Sequence, residues 1–358
     1  MSTPVGLSDD DSFMRVVLGI ESSCDETAVA LVREDGTILA QALATQQQAH
    51  APYGGVVPEI AARAHLQQID QLYTQTLATA GTTLAAIDAV AVTAGPGLIG
   101  GVMVGAMFAK ALAAAARKPL LAINHLEGHA LTVRLTHRVA FPYFLLLISG
   151  GHCQQLVVHG PGHYERLGGT RDDALGEAFD KCAKMLGLPY PGGPALEAAA
   201  RAGTPRYALP RPMAGTEHAD FSFSGLKTAV RLLIAREVEA QGGLTPLLVA
   251  DIAASFTLAV REILRERVGK ALAMLPPELP ISTLAVAGGV AANQAIQEEL
   301  TRLASQHGMA LAVAPPALCT DNAVMIAWAG VERLRLGAED PLTFQPRARW
   351  PLTEMAAL

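Results

Sequence analysis

Apolar residues fall along this chain in short blocks, each closed by a cluster of glycines or small polar residues. The first block, 14–20, predicts a strand. The polar turn Glu21-Ser22-Ser23-Cys24-Asp25-Glu26-Thr27 follows, then a second strand over 28–32. A helix begins near Glu59, after the Gly54-Gly55 loop. Residues 89–93 read as a buried strand that runs through Gly95-Pro96-Gly97 into a long alanine-rich helix over 101–116. Residues 120–123 form another strand, and Asn124 is a good N-cap for the helix behind it, with Glu127 completing a capping-box spacing.

The sequence then repeats its opening. A strand over 142–148 leads through Ser149-Gly150-Gly151-His152 to a strand over 153–158, and the two hairpins start about 130 residues apart. An acidic helix start follows at 172–181. Residues 188–194 are too rich in proline and glycine for a regular element, and 206–226 read as an irregular loop with helices behind it to about 274. Strands at 284–287 and 310–314 each run into a helix, through Gly288-Gly289-Val290-Ala291-Ala292-Asn293 and Cys319-Thr320-Asp321-Asn322. This repetition predicts an α/β chain of two similar lobes, each with a mixed sheet, around a cleft.

Composition narrows the class. The 358 residues are 51% hydrophobic and 17% charged, with a net charge of -6, so no general basic field exists. Contacts to nucleic acid would fall on local clusters: Arg201 with Arg206 and Arg211, or Arg333, Arg335, Arg347 and Arg349 beside Trp350. Solvated surface arginines would look the same. Four scattered cysteines without a Cys-x-x-Cys pair read as reduced thiols. Residues 1–13 are polar and acidic, unlike a signal or transit peptide. The apolar stretch 98–116 contains Lys110 and many glycines, and is expected as a buried helix of a cytoplasmic protein.

Chemistry concentrates at Asn124-His125-Leu126-Glu127-Gly128-His129. Histidines four apart on a helix lie about 40° apart around its axis, close enough to share a metal ion. A half-buried helix face would give the same pair, and a third ligand elsewhere would decide. Glu127 lies about 200° from His125, facing away, so the His-Glu-x-x-His geometry of a zinc peptidase is absent. As a capping residue only, Glu127→Gln would cost about 1 kcal/mol or less. Asp321 stands at or beside an N-cap, where a carboxylate is ordinary capping chemistry. The glycine turn at 94–101 suits an anion or close packing equally, and it lacks the Lys-Ser/Thr of a P-loop. A sugar kinase on a similar fold would have no use for paired histidines.

Together these motifs resemble one family over about residues 14–352. They are Gly19-Ile20-Glu21-Ser22-Ser23-Cys24-Asp25-Glu26-Thr27, the 124–129 segment, Ser149-Gly150-Gly151-His152, Gly176-Glu177-Ala178-Phe179-Asp180-Lys181, Tyr190-Pro191-Gly192-Gly193-Pro194, residues 221–227, 288–293 and 319–322. The family is the tRNA N6-adenosine threonylcarbamoyltransferases, the bacterial counterparts of the Kae/Qri proteins, once described as O-sialoglycoprotein endopeptidases. The resemblance implies the actin/Hsp70/sugar-kinase-like (ASKHA) fold. It implies an N-terminal lobe over 14–141 completed by 315–346, a C-terminal lobe over 142–314, an extension at 1–13 and a tail at 347–358.

The implied reaction passes a threonylcarbamoyl group from threonylcarbamoyl-adenylate to N6 of the adenosine next to the anticodon, in tRNAs reading codons that begin with A, and releases AMP. The family's metal ligands match His125, His129 and Asp321, with Fe2+ expected, one per subunit, and zinc fitting the same donors. Its substrate contacts match Leu147, Ile148, Ser149, Gly150, Gly151, Asp180, Gly193 and Asn293, where ATP or another adenine nucleotide would also fit. Implied partners are tRNA, a shorter paralogue of the same fold, and a small P-loop-type ATPase. The paralogue is expected to dock on the helices at 101–116 and from Glu59, and no membrane is involved. Cys153 departs from the usual threonine, Leu167-Gly168-Gly169-Thr170-Arg171 lacks the acidic residue common before that threonine, and Glu197 stands where some members place an aspartate.

Overall fold

The computed structural model describes residues 14–53 and 55–355; the expected N-terminal extension, 1–13, lies outside the described residues. The described residues divide into two compact units, one of 14–131 with 322–354 and one of 132–321.

The first unit opens with β1 (Val16–Glu21), β2 (Glu26–Arg33) and β3 (Ile38–Thr45). A short α1 (Gln47–His50) leads to α2 (Pro58–Ala80), β4 (Ala89–Gly95), α3 (Ile99–Ala116), β5 (Leu120–Asn124) and α4 (His125–His137). The sheet order is β3-β2-β1-β4-β5. β1 to β3 form an antiparallel meander, and β4 and β5 add in parallel to β1. Leu18 and Ile20 point to the α2/α3 side, where they pack with Ile69, Leu72, Ala109 and Ala113. Burial of both sheet faces explains why β1, β2, β4 and β5 read as apolar blocks rather than alternating patterns.

The second unit repeats that topology. β6 (Tyr143–Ile148), β7 (Cys153–Gly160) and β8 (His163–Gly169) are an antiparallel meander. α5 (Leu175–Met185), α6 (Gly192–Arg201), α7 (Ser224–Gln241) and α8 (Pro246–Ala273) follow, then β9 (Thr283–Ala287), α9 (Gln294–Gln306), β10 (Ala310–Val313) and α10 (Pro316–Cys319). The order β10-β9-β6-β7-β8 matches the first sheet, with β9 parallel to β6 and β10 parallel to β9. The 188–194 turn is shorter than expected, because α6 already starts at Gly192.

The chain returns to the first unit with α11 (Ala323–Arg335), on the sheet face opposite α2 and α3. Close approach depends on missing side chains. A Cβ on Gly19 would collide with Ala323 O and Ala327 N, and one on Gly330 would meet Ala91 Cβ. β1 is therefore pressed against the first turn of α11. Residues 347–350, expected in a tail, are built into this unit: Arg347 N–H donates to Ala94 O, Gly97 N–H to Ala348 O, and Asn124 Nδ2 to Trp350 O. Backbone groups at the carboxyl ends of β4 and β5 need partners, and this segment supplies them.

Among the described residues, α3 alone has the length and apolarity to cross a membrane. Its Gly101, Val102, Gly105, Ala106, Ala109 and Ala113 are buried, as expected of a core helix, and Lys110 Nζ donates to Phe344 O. The opposite side departs from that expectation, because Ile99, Met103 and Met107 are exposed.

Candidate functional site

The α4 start is built by its neighbours in sequence. Asn124 ends β5, and its Oδ1 accepts the Leu126 N–H at 2.9 Å, which fixes the entry of the helix. His125 and His129 follow on adjacent turns, both buried, with ring centroids 4.8 Å apart and planes at 89°. Asp321 is bonded to Asn322, where the chain re-enters the first unit. The N-cap of α11 is Asn322, whose Oδ1 accepts Met325 N–H at 2.9 Å. Capping therefore does not account for Asp321. One donor atom from each of His125, His129 and Asp321 lies within 4.8 Å of the others, and among the described residues this is the one such metal-competent group. Two imidazoles and a carboxylate in a largely buried place fit a first-row divalent ion with positions left for other oxygens.

A polar shell surrounds His125. Its Nδ1 lies 3.0 Å from Glu21 Oε2 and 3.1 Å from Ser23 Oγ, both at the end of β1. Sequence reading marked this turn as polar without linking it to the histidines. The pairing spans 104 positions, and no local pattern encodes it.

In the second unit, the Ser149-Gly150-Gly151-His152 turn is closed by Ser149 N–H to His152 O at 2.8 Å and His152 N–H to Ser149 Oγ at 3.1 Å. The start of α5 seats on it through Gly176 N–H to Ser149 O at 3.2 Å. Gly288, at φ +92°, crosses so close to Ile148 O that a side chain there would collide. Asp180 Oδ1 accepts Gly192 N–H at 2.9 Å, joining α5 to α6. A Cβ on Gly150, Gly151 or Gly193 would meet nothing within 4 Å, so a ligand can approach that backbone directly. Leu147 and Ile148 are fully buried in β6 and can offer only main-chain atoms. Asn293 caps α9 through its Oδ1, which accepts Ile296 N–H at 3.1 Å.

The family model for tRNA N6-adenosine threonylcarbamoyltransferase matches residues 37–328. A protein of that name from Paramagnetospirillum magneticum is 57% identical over 343 residues, covering 95% of this chain and 98% of its own. Another from Bartonella bacilliformis is 57% identical over 353 residues, covering 95% and 96%. The chain belongs to this family. It is a transferase that acts on tRNA. Solved structures support the ASKHA-type fold. HypF from T. kodakarensis aligns with a TM-score of 0.57 at 16% identity, over 90% of this chain and 48% of its own. Component A of the Acidaminococcus fermentans (R)-2-hydroxyglutaryl-CoA dehydratase aligns at 0.52 and 13% identity, over 90% and 99%.

Several sequence expectations for this transferase need correction. Glu127 is fully buried and accepts from Arg333 Nε at 2.7 Å, so it is not merely a capping residue and Arg333 is not an RNA contact. Arg201 pairs with Glu197, Arg206 with Asp251 and Arg211 with Glu262. Glu197 also accepts Gln294 N–H at 3.0 Å. All four cysteines are free thiols. Burial pushes Cys182 up to about 12 and Cys319 up to about 11, and raises Cys153 further, so none of these three supplies a thiolate near neutral pH.

Proposed function

We propose that this chain transfers the threonylcarbamoyl group from threonylcarbamoyl-adenylate to N6 of the adenosine beside the anticodon, in tRNAs reading codons that begin with A. The N6 amine attacks the carbamoyl carbon, a C–N bond forms, the bond to the adenylate phosphate breaks, and AMP leaves with the amine proton released to solvent. The observation that carries this reading is the convergence of His125, His129 and Asp321 in a chain of this family. These three residues would hold the ion, with Fe2+ the expected occupant and Zn2+ compatible with the same donors. Such an ion supplies Lewis acidity toward an acyl oxygen when bound.

The remaining work belongs to the chain itself. The approachable backbone at Gly150, Gly151 and Gly193 suits the adenylate, as it would ATP. Asp180, which joins α5 to α6 through Gly192, is the acceptor expected for ribose hydroxyls. A cytoplasmic location follows from tRNA as substrate. The test incubates the chain, its assembly partners, threonylcarbamoyl-adenylate and unmodified tRNA, then analyses nucleosides by mass spectrometry. Threonylcarbamoyladenosine is expected, and its absence with active partners present would refute the reading.

Partners fit the same account. Ile99, Met103 and Met107 recur every four residues along α3, and exposed Leu66 of α2 extends the apolar surface. We assign this face to the shorter paralogue, with the small ATPase joining the assembly. Met103→Glu together with Met107→Glu should abolish co-elution with the paralogue and lower multiple-turnover transfer. The chain's melting temperature should barely change, because both side chains are half exposed. Unchanged co-elution would place the interface elsewhere.

A further inference from the structure

The carboxylate of Glu21 is fully buried at the end of β1, and the transfer reading gives it no task. Three groups converge on it. Ser23 N–H donates to Oε1 at 2.5 Å, Thr93 Oγ1 donates to Oε2 at 2.5 Å, and His125 Nδ1 lies 3.0 Å from Oε2. They come from the turn after β1, from β4 and from α4, so the arrangement belongs wholly to the first unit. A buried carboxylate is costly unless paired in this way, and the flanking Ile20 shows that this depth of the sheet otherwise takes apolar residues.

We infer that Glu21 is the positioning residue for His125. Its carboxylate accepts the Nδ1 proton, which fixes the tautomer with the lone pair on Nε2 and sets the ring plane relative to His129 and Asp321. An imidazole held in this way is a stronger and better aimed ligand than one free to rotate. Thr93 and Ser23 hold the carboxylate in turn. The end of β1 thereby sets the geometry of His125.

The inference rests on the metal reading, and the experiment separates the two. The full-length chain, stripped with a chelator, is titrated with Zn2+ against a chromogenic competitor, for the parent, Glu21→Gln and Asp321→Ala. In parallel, the metal-free parent with 15N-labelled histidine is examined by long-range 1H–15N NMR, with His125 assigned by its loss in His125→Ala. The expected results are an Nδ1-protonated His125 in the parent and Zn2+ affinity about 10- to 100-fold weaker in folded Glu21→Gln. Parent-like affinity in Glu21→Gln, with loss in Asp321→Ala, would overturn the role of Glu21, as would an Nε2-protonated His125. Parent-like affinity in Asp321→Ala would overturn the metal reading and this inference with it. If Glu21→Gln does not fold, the tautomer in the parent decides.

Discussion

Asp321→Ala should lose bound metal and threonylcarbamoyl transfer while the protein stays folded. The folding half of this expectation comes from the neighbouring residue. Asn322, not Asp321, caps α11, and its bond to Met325 N–H survives the substitution. Asp321 places its charge near a helix N-terminus, a contribution of about 0.3–1 kcal/mol. The metal half comes from donor count. Two imidazoles with water alone seldom retain a first-row ion, so one lost carboxylate should empty the site. His129→Ala should act in the same direction with a larger stability loss, because the ring is buried and its removal leaves a cavity. Metal content by mass spectrometry, thermal melting and nucleoside analysis check all three quantities. Normal metal content and transfer in Asp321→Ala would sink the assignment of the centre.

Much of this fold was legible because its signals are local. The apolar blocks at 14–20, 89–93, 120–123 and 142–148 became β1, β4, β5 and β6, and the repeated strand-turn-strand became two sheets of identical topology. Strands β3 and β8 carry weaker local signals. β3, Ile-Leu-Ala-Gln-Ala-Leu-Ala-Thr, alternates buried and exposed residues at a sheet edge, and β8 ends in two glycines. The site divides in the same way. Asn124 and the spacing of His125 and His129 could be read from six residues, whereas the tie from His125 to Glu21 and that from Glu127 to Arg333 cross 104 and 206 positions. Such contacts exist only once the sheet and α11 have assembled. The arginine pairings are non-local in the same sense: the carboxylates that pair with Arg206 and Arg211 lie on α8, 45 and 51 positions further along the chain.

The Glu127–Arg333 pair carries the second large effect, and it separates the transferase from a peptidase. Both side chains are buried, so truncating one leaves the other charge without its partner in a poorly solvated place. Such a break typically costs about 3–5 kcal/mol. Glu127→Ala should therefore be strongly destabilised in a urea or thermal melt. Glu127→Gln should lose less, because its amide oxygen can still accept from Arg333 Nε. Replacing both partners together, as Glu127→Leu with Arg333→Met, should restore much of the loss, since no unpaired charge remains. The chemistry should follow folding rather than the carboxylate. Each variant that folds should keep its metal and its transfer activity, because Glu127 lies two residues from His125 on another side of α4. A zinc peptidase would need this carboxylate as a general base next to water, and here it is enclosed and held by a guanidinium. Near-parent stability of Glu127→Ala would deny the pair its structural role. Metal-dependent peptide cleavage by the parent that vanishes in well-folded Glu127→Gln would instead restore the peptidase reading.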